Sequence, residues 1–264
     1  MMDQPRNPAR ARLAEGALSL GIGIRLARTA EVAKLMKSCG FDWLFIDLEH
    51  GATSLESAAQ ISSAALDAGI APLVRVPEMQ LDMATRALDN GAWGIVMPHV
   101  DTAEEAKEIV DKLKYPPAGH RSIIGGLPHY GYRHAPAAEV AKTLNAETLV
   151  VAMLETPAAI ENAAAIAAVP GIDVLLVGSN DLAMEMGIPG QIGDARITAA
   201  YEKTIAAAKR HGKYPGMGGV SQEDILRRAI GMGMRFVLGG NDLPLLLNAG
   251  TGLAKMLRGC LQDP

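Results

Sequence analysis

FIDLEHG, residues 45–51, decides the fold of this chain, because two acids and a histidine follow a strongly apolar strand there. Alternate residues of a strand share a face, so Ile46 and Leu48 form an apolar side, whereas Asp47 and Glu49 lie on the opposite side. In a parallel α/β protein the outward side packs on helices and the other side lines a barrel or crevice. We therefore expect the polar groups at the carboxyl mouth of a barrel.

Short β-rich runs recur along the chain at intervals that fit one strand plus one helix, with alanine-rich segments of helical apolar spacing between them. Eight strands that alternate with helices are typical of an α/β fold, the (β/α)8 TIM barrel. The predicted strands are Gly21–Ile24, Trp43–Leu48, Pro72–Val76, Gly94–Pro98, Leu149–Leu154, Val174–Gly178, Tyr214–Gly218 and Phe236–Gly239.

Length and composition favour one large core. The chain has 264 residues, of which 49% are hydrophobic, and no Pro/Gly/Ser-rich linker divides it. We therefore predict a single barrel domain over residues 1–264. The polar opening predicts a frayed leader over about residues 1–14, and the apolar run near the carboxyl end predicts a helical extension over about residues 243–261.

Charge and cysteine usage exclude several classes of partner. The net charge is -4 and the basic residues are scattered, so we expect no nucleic acid and no membrane surface as partner. No run is long enough to span a bilayer. Cys39 and Cys260 are far apart, form no CxxC pair and follow no secretory signal, which favours the reducing cytoplasm. Small acidic metabolites remain candidate ligands.

One long connection stands out between the fourth and fifth strands, over residues 115–138. It contains several Gly and Pro residues and concentrates aromatic and basic side chains. Long loops of this kind are usually functional lids or interface arms. We expect one of these two roles here.

Catalytic groups of a barrel belong at the carboxyl ends of its strands. The candidates selected by that rule are Asp47, Glu49, His50, Arg75, Glu155 and Asp181. One helix-plus-strand repeat separates Glu155 from Asp181, which places two carboxylates at the ends of neighbouring strands. Such a pair without nearby cysteine favours a hard divalent cation, Mg²⁺ or Mn²⁺. Alternatively, Glu155 pairs with an arginine and Asp181 caps the helix that starts near Leu182.

Two interpretations stay open for Asp47 with His50, and two for Arg75. Asp47 could orient the imidazole of His50 for proton transfer, or His50 could only hydrogen-bond its own loop. An inward Arg75 needs a buried anion, which is either a substrate enolate or carboxylate, or an adjacent acid. Asp89 precedes the fourth strand, so on its own merits we expect it to be structural. No lysine follows a predicted strand end, which argues against a Schiff-base mechanism.

The segments that carry these residues resemble the metal-dependent class II pyruvate aldolases of the HpcH/HpaI aldolase and citrate lyase family, such as 4-hydroxy-2-oxoheptanedioate and 2-dehydro-3-deoxyglucarate aldolases. The resemblance covers nearly the whole length, and the order and spacing of the segments make it specific. They are GFDWLFIDLEHG (residues 40–51), LVRVPE (73–78), ALDNGAWGIVMPHV (87–100), KYPPAGHRS (114–122), AMLETPAAIEN (152–162) and VGSNDLAMEMG (177–187).

This resemblance implies a TIM barrel of the phosphoenolpyruvate/pyruvate type that binds Mg²⁺, Mn²⁺ or Co²⁺ through Glu155 and Asp181. It further implies that Arg75 stabilises an enolate oxygen and that His50 with Asp47 runs the proton transfers. Glu49 would hold water near the metal. The turn formed by Gly178, Ser179, Asn180 and Asp181 would bind the substrate carboxylate through backbone amides.

The resemblance also implies a homo-oligomer, a hexamer whose carboxyl-terminal helix packs on a neighbour. Asp89 would then reach the site of an adjacent subunit as a catalytic residue. The implied reaction cleaves a 4-hydroxy-2-oxo acid reversibly to an aldehyde and pyruvate, or a close analogue such as hydroxypyruvate. A small-molecule keto acid and an aldehyde are thus the expected partners.

The chain departs from its relatives at three places. Relatives usually carry tryptophan near the end of the first strand, where this chain has Gly23, Ile24 and Arg25. They have proline and alanine in place of Ser179 and Asn180, and glycine in place of Ser122. These changes alter the wall of the pocket, so the resemblance does not identify the aldehyde half of the substrate. Two other hypotheses are an oxaloacetate decarboxylase or citrate-lyase-like enzyme that forms the same enolate, and a catalytically silent barrel that binds a keto acid.

Overall fold

The computed structural model describes residues 4–260, and eight parallel strands there close into a barrel in sequence order. Every strand pairs with its neighbours along the chain, and the first strand pairs with the eighth. The predicted (β/α)8 TIM barrel is confirmed. The strands are β1 Ser19–Ile24, β2 Trp43–Asp47, β3 Ala71–Arg75, β4 Gly94–Met97, β5 Leu149–Leu154, β6 Val174–Gly178, β7 Tyr214–Gly218 and β8 Phe236–Asn241.

Helices connect the strands on the outside of the barrel. In addition, a short 3-10 helix, Pro128–Tyr130, lies in the long connection after β4. The helices are α1 Pro8–Ala14, α2 Glu31–Ser38, α3 Leu55–Ala68, α4 Leu81–Asp89, α5 Ala103–Leu113, α6 Ala137–Glu147, α7 Pro157–Glu161, α8 Ala163–Ala168, α9 Ser179–Glu185, α10 Ala195–Arg210, α11 Glu223–Met232 and α12 Asp242–Gly259.

Two apolar layers hold the barrel together, one inside it and one between strands and helices. Leu44 and Ile46 belong to the outer layer, whereas Trp43 and Phe45 belong to the inner one, as the alternation predicts. Inside, the Trp43 ring stacks on Phe236 with centroids 4.0 Å apart. Bulky interior side chains fill such a barrel and make it a packed core rather than a pore.

The amino-terminal segment differs from the prediction, because a frayed leader is wrong for residues 8–14. Helix α1 begins after Asn7, whose side chain accepts hydrogen bonds from the backbone N–H groups of Ala9 and Arg10. The same side chain donates to the carbonyl of Trp93, just before β4. Ala9 and Leu13 are buried in the inner layer. The helix is ordered because it is capped and packs at the amino end of the barrel. The first three residues of the predicted leader lie outside the described part.

The predicted carboxyl-terminal extension corresponds to α12, which ends at Gly259, and residue 261 of that prediction lies outside the described part. No residue of α12 is buried. Its large exposed side chains are Leu243, Leu245, Leu246, Leu247, Leu253, Met256 and Leu257. Over residues 4–260, no helix combines the length and the apolar character needed to cross a membrane.

The long loop of residues 115–138 packs against the amino end of the barrel. Arg121 Nη2 donates to Asp89 Oδ1 over 2.7 Å, and His129 Nε2 lies 3.1 Å from the carbonyl oxygen of Ala92. Both partners precede β4, whereas the candidate catalytic groups follow the strands. No residue of this loop lines the cavity at the carboxyl mouth of its own barrel. The lid prediction is therefore wrong for this chain's own mouth, and the interface role stays a prediction.

This loop gives the first testable prediction. Burial lowers the pKa of His129 from its ordinary 6.5 to about 4, and nearby Arg121 acts in the same direction. The unfolded chain binds the proton at higher pH than the folded one, so the stabilising contribution is complete above pH 6.5 and is lost as the pH falls towards 4. The slope is at most about 1.4 kcal/mol per pH unit. In thermal unfolding, we expect the midpoint of His129→Gln to fall less than that of the wild type across this range.

A matched control is His134→Gln, because His134 is an exposed histidine of the same loop. This variant should keep the wild-type dependence of the midpoint on pH. Identical profiles for His129→Gln and the wild type would contradict the assignment.

Candidate active site

The carboxyl mouth of the barrel holds a cavity of about 430 Å³. Strand ends from several sides of the barrel contribute to it, as parallel strands of a barrel require. Of the predicted site residues, it is lined by Asp47, His50, Arg75, Gly178, Ser179, Asn180 and Asp181. The structure therefore brings together most of the residues that the sequence singled out.

Asp47 and Arg75 form the closest ion pair of the mouth. They are register partners on β2 and β3, so their side chains leave the two strands side by side. Arg75 Nε donates to Asp47 Oδ1 over 2.9 Å and Nη2 donates to Oδ2 over 2.7 Å. The Asp47 side chain is 0% exposed. The buried anion that an inward arginine needs is thus an adjacent acid, which was one of the two predicted alternatives.

Asp47 does not orient the imidazole of His50, so this part of the prediction is wrong. Its Oδ1 accepts instead from the backbone N–H groups of Glu49 and His50, at 3.1 and 3.3 Å. Burial alone would raise the pKa of Asp47, but the hydrogen bonds from Arg75 hold this pKa below its ordinary value. The imidazole Nε2 lies 3.7 Å from Glu49 Oε2, and the His50 side chain is half exposed. Glu49, not Asp47, is therefore the acid beside the imidazole.

Glu49 lies between the arginine and two histidines. Its Oε2 is 2.9 Å from Arg75 Nη1, and its Oε1 is 4.0 Å from the Nε2 of His99. Glu49 Oε2 is buried and has no well-directed hydrogen bond among the described residues. This carboxylate retains capacity to accept a hydrogen bond from a water molecule or a substrate group.

Glu155 and Asp181 meet on the other side of the mouth. Glu155 follows β5 and Asp181 lies in the first turn of α9, directly after β6. A side chain at Gly178 would place a Cβ atom 2.6 Å from Glu155 Oε1, so only glycine leaves room for this carboxylate. Burial, with help from the neighbouring carboxylate of Asp181, raises the pKa of Glu155 to about 7. This pair therefore carries negative charge without enough positive charge to balance it.

The two alternative roles, pairing of Glu155 with an arginine and capping of a helix by Asp181, do not match the contacts. Glu155 has no arginine or lysine within 4.0 Å among the ion pairs of residues 4–260; its nearest basic group is the His99 imidazole, at 3.6 Å. Asp181 does not cap α9, whose N-cap is Gly178.

The donor set of the Glu155–Asp181 pair fits a hard divalent cation. The part of the chain that the structure describes contains no group of three or more His, Cys, Asp or Glu side chains arranged for a metal ion. Two carboxylates suffice for Mg²⁺ or a similar ion, which usually keeps several waters and binds through one or two carboxylates plus substrate oxygens. A cation would also offset the burial, and the smaller repulsion by Asp181, that raise the pKa of Glu155.

His99 is a site residue that the sequence reasoning did not select. It follows β4 with a φ of 51°, in the left-handed region, and its backbone N–H donates to Glu155 Oε2 over 3.0 Å. Its imidazole Nδ1 lies 3.6 Å from the same oxygen. A histidine at the carboxyl end of a strand was the available signal, because the rule that selected Arg75 and Glu155 applies equally to β4.

The turn after β6 contributes to the site through its backbone more than through its side chains. The Ser179 hydroxyl is buried and lies 2.7 Å from the Tyr201 hydroxyl, so it faces the core. Asn180 is exposed and packs beside Gly219, where an added Cβ would lie 2.8 Å from Asn180 Nδ2. The predicted substrate-binding turn is thus at the mouth, with its serine side chain already satisfied.

Three predicted site residues do not line this cavity: Glu49 and Glu155 lie against Arg75 and Asp181, which do line it, whereas Asp89 lies away from the mouth. Asp89 ends α4, before β4, and accepts a hydrogen bond from Arg121 over 2.7 Å. This position agrees with its structural reading. A catalytic role would need the mouth of another subunit.

Fold and site together define a barrel enzyme whose mouth places an uncompensated carboxylate pair opposite a buried arginine. Comparison with known proteins identifies the family to which this barrel belongs. The chain belongs to the HpcH/HpaI aldolase/citrate lyase family, whose model matches residues 26–249. The family resemblance read from the sequence is confirmed, and the chain is a carbon–carbon lyase of the aldolase kind.

Individual relatives agree over almost the whole chain. A 4-hydroxy-4-methyl-2-oxoglutarate aldolase, tasA, of Hapsidospora irregularis is 42% identical over 89% of this chain and 88% of that protein. A hydroxypyruvate/pyruvate aldolase of Delftia acidovorans is 31% identical over 94% of this chain and 91% of its own length. The crystal structure of an HpcH/HpaI aldolase from Desulfitobacterium hafniense superposes with a TM-score of 0.89 at 28% identity, over 94% of this chain and 96% of that one.

The buried pair gives the second prediction. Arg75→Met removes both hydrogen bonds from the guanidinium and leaves the buried carboxylate of Asp47 with only the longer 3.7 Å contact to Arg25 as a counter-charge, which should lower the free energy of unfolding by about 3 kcal/mol. In Arg75→Met/Asp47→Asn, the amide keeps an oxygen for the backbone N–H groups and carries no charge, so part of the loss should return. Urea denaturation followed by circular dichroism measures all three proteins.

The matched control is Arg227→Met, which removes the exposed i,i+4 pair with Glu223. Such exposed pairs contribute little, so this variant should unfold close to the wild type. Equal losses for Arg75→Met and Arg227→Met would contradict the importance of the buried pair.

Proposed function

We propose that the protein is a divalent-metal-dependent aldolase that reversibly cleaves a 4-hydroxy-2-oxo acid to an aldehyde and pyruvate, or a close analogue such as hydroxypyruvate. The observation that carries the proposal is the Glu155–Asp181 carboxylate pair, which shares one mouth with Arg75 and His50. The names of the relatives support the reaction class, because they are aldolases of 2-oxo acids.

Glu155 and Asp181 would hold Mg²⁺, Mn²⁺ or Co²⁺. When bound, the cation supplies Lewis-acid polarisation of the 2-oxo group of the substrate. The turn from Gly178 to Asp181 would orient the adjacent substrate carboxylate through its backbone amides. These residues together select the pyruvyl half of the substrate.

Arg75 and His50 would handle charge and protons. A guanidinium has five N–H donors, and those not used by Asp47 and Glu49 remain available towards the cavity that Arg75 lines. They would stabilise the developing enolate oxygen of pyruvate. His50, half exposed at the same mouth, would accept the proton of the C4 hydroxyl. Glu49, beside its imidazole, would hold a water molecule close to the reacting groups.

The electron balance follows from these roles. Loss of the hydroxyl proton to His50 forms the new carbonyl at C4, the C3–C4 bond breaks, and its electron pair enters the enolate of pyruvate. The same histidine then returns a proton to C3, which becomes the methyl group. No oxidant or reductant is needed, and the reverse sequence joins pyruvate to an aldehyde.

The third prediction concerns the enolate itself. With Mn²⁺ present, the wild type should exchange the methyl protons of pyruvate in D₂O, which proton NMR measures directly. Glu155→Gln and Asp181→Asn should lose both the exchange and tight Mn²⁺ binding, whereas His50→Ala should keep Mn²⁺ binding and lose about 10²–10⁴-fold in exchange rate.

Glu104→Gln is the control, because it neutralises an exposed glutamate that does not line the cavity. Absence of exchange by the wild type with Mn²⁺ or Co²⁺ would overturn the proposed function. Unchanged exchange by His50→Ala alone would overturn only its proton-transfer role. Pyruvate release from an added 4-hydroxy-2-oxo acid separates the aldolase from a decarboxylase, which forms the same enolate.

We further propose that the protein assembles as a homo-oligomer, a hexamer, through α12. A helix without buried residues but with a row of exposed leucines is unusual for a monomer. Docking on a neighbour would cover these leucines and would let Asp89 approach an adjacent mouth. Both cysteines are unpaired and exposed, which supports the predicted cytoplasmic location.

The fourth prediction tests this assembly. At about 100° per residue, Leu246 and Leu253 lie on one stripe of α12, whereas Lys255 lies on the opposite side. We expect the wild type to sediment as a hexamer and Leu246→Asp/Leu253→Asp to sediment as smaller species. Lys255→Asp is the control and should keep the wild-type size. A monomeric wild type in sedimentation velocity would contradict the proposal.

A further inference from the structure

Arg25 lies at the rim of the cavity with its hydrogen-bonding capacity only partly used. Its side chain is 43% exposed and follows β1. Its Nε is 3.7 Å from Asp47 Oδ2, and its Nη2 donates to the carbonyl of His50 over a long 3.4 Å. Asp47 is already bound by Arg75 through two shorter hydrogen bonds. Arg25 therefore has donors left for a ligand.

The loop that carries Arg25 is held in place by Asp242, the first residue of α12. The carboxylate of Asp242 accepts hydrogen bonds from the backbone N–H groups of Arg25, Leu26 and Ala27, at distances from 2.8 to 3.2 Å. These bonds fix the backbone of the loop, so the guanidinium is presented to the cavity from a rigid base. Binding then costs little ordering of the loop.

The position of Arg25 in the barrel decides which end of a substrate it meets. In a closed barrel of eight strands in sequence order, β1 lies opposite β5. Asp181, beside Glu155 at the β5–β6 side, and Arg25 line the same cavity, so the acid side of the mouth and the guanidinium border one space. A substrate whose pyruvyl end lies at Glu155 and Asp181 extends its acceptor half towards Arg25.

Asn241 adds a second polar group on that side. It ends β8, the neighbour of β1, and lines the same cavity. Its Oδ1 is buried and has no hydrogen-bond partner among residues 4–260. A buried oxygen without a donor is costly, so it favours an occupant with a hydrogen-bond donor, such as a hydroxyl group, over an alkyl chain.

We propose that Arg25 is a specificity-determining residue that binds a carboxylate on the acceptor half of the substrate. The inference rests on the proposed aldolase function and narrows its substrate class. The substrate is then a dicarboxylic 4-hydroxy-2-oxo acid, and the acceptor released on cleavage is itself an oxo acid. A guanidinium suits this task because it binds carboxylates through two parallel hydrogen bonds.

Two substrates that differ only at C5 test the proposal, namely 4-hydroxy-2-oxopentanedioate with a carboxylate and 4-hydroxy-2-oxopentanoate with a methyl group. We expect the wild type with Mn²⁺ to show a higher kcat/KM for the diacid, and Arg25→Gln to reduce this preference by about 10- to 100-fold, as expected for hydrogen bonds to a charged group. Arg25→Lys should retain part of it.

Binding without turnover gives an independent measurement. 2-Oxopentanedioate and 2-oxopentanoate lack the 4-hydroxyl group and cannot be cleaved by this route, yet they differ by the same carboxylate. Calorimetric titration of the protein with Mn²⁺ should show tighter binding of the diacid to the wild type and a much smaller difference for Arg25→Gln. Arg28→Gln is the matched control, since it removes an exposed arginine of the same loop that does not line the cavity.

The outcomes separate the two proposals. If the wild type exchanges pyruvate protons but does not prefer diacids, or if Arg25→Gln weakens both members of each pair equally, the role of Arg25 is wrong and the aldolase function stands. An equal loss would mean that Arg25 acts only through Asp47. If the wild type with Mn²⁺ neither exchanges pyruvate protons nor cleaves either substrate, the proposed function fails and the inference fails with it.

Discussion

The ion pair between Asp47 and Arg75 is the interaction on which the mouth of this barrel depends. The register of β2 and β3 places the two residues side by side, and both are almost fully buried. A buried ion pair is weak evidence of stability, since well-packed apolar residues often do as well. Its value here is positional, because Asp47 also fixes the backbone of Glu49 and His50. One carboxylate thus orients the arginine and the start of the loop after β2.

The two sides of the mouth shift the pKa of a buried carboxylate in opposite directions. Asp47 and Glu155 are both buried carboxylates, yet the pKa of Asp47 is lowered and that of Glu155 is raised to about 7. The difference is the partner, because Asp47 faces a guanidinium and Glu155 faces Asp181. Charge on the β2–β3 side is balanced within the protein, whereas the carboxylates on the β5–β6 side have no arginine or lysine partner among the described residues. In the proposed function, this asymmetry divides proton handling from metal binding.

Much of the fold and of the candidate site was predictable from the sequence. The limits of the same rules explain which predictions were wrong. The period of two along the strands, with the rule on strand ends, selects Asp47, Arg75, Glu155 and Asp181 without knowledge of their contacts. Which acid would face His50 depends on local backbone N–H groups, which no spacing reveals. The contact of His99 with Glu155 depends on a left-handed residue after β4. Helix α1, by contrast, was visible as an Asn cap followed by proline, but a polar composition concealed it.

The carboxyl-terminal helix links assembly to the rim of the site through a single side chain. Asp242 begins α12 and, with the same carboxylate, fixes the loop that carries Arg25. Any force that positions α12, including a neighbouring subunit on its exposed leucines, therefore also positions Arg25 relative to the cavity. The groups at the β5–β6 side depend instead on strand ends that are buried within one barrel. If α12 docks on a neighbour as proposed, the side of the cavity at Arg25 is thus the part of the site most sensitive to assembly, whereas the side at Glu155 is built by the barrel alone.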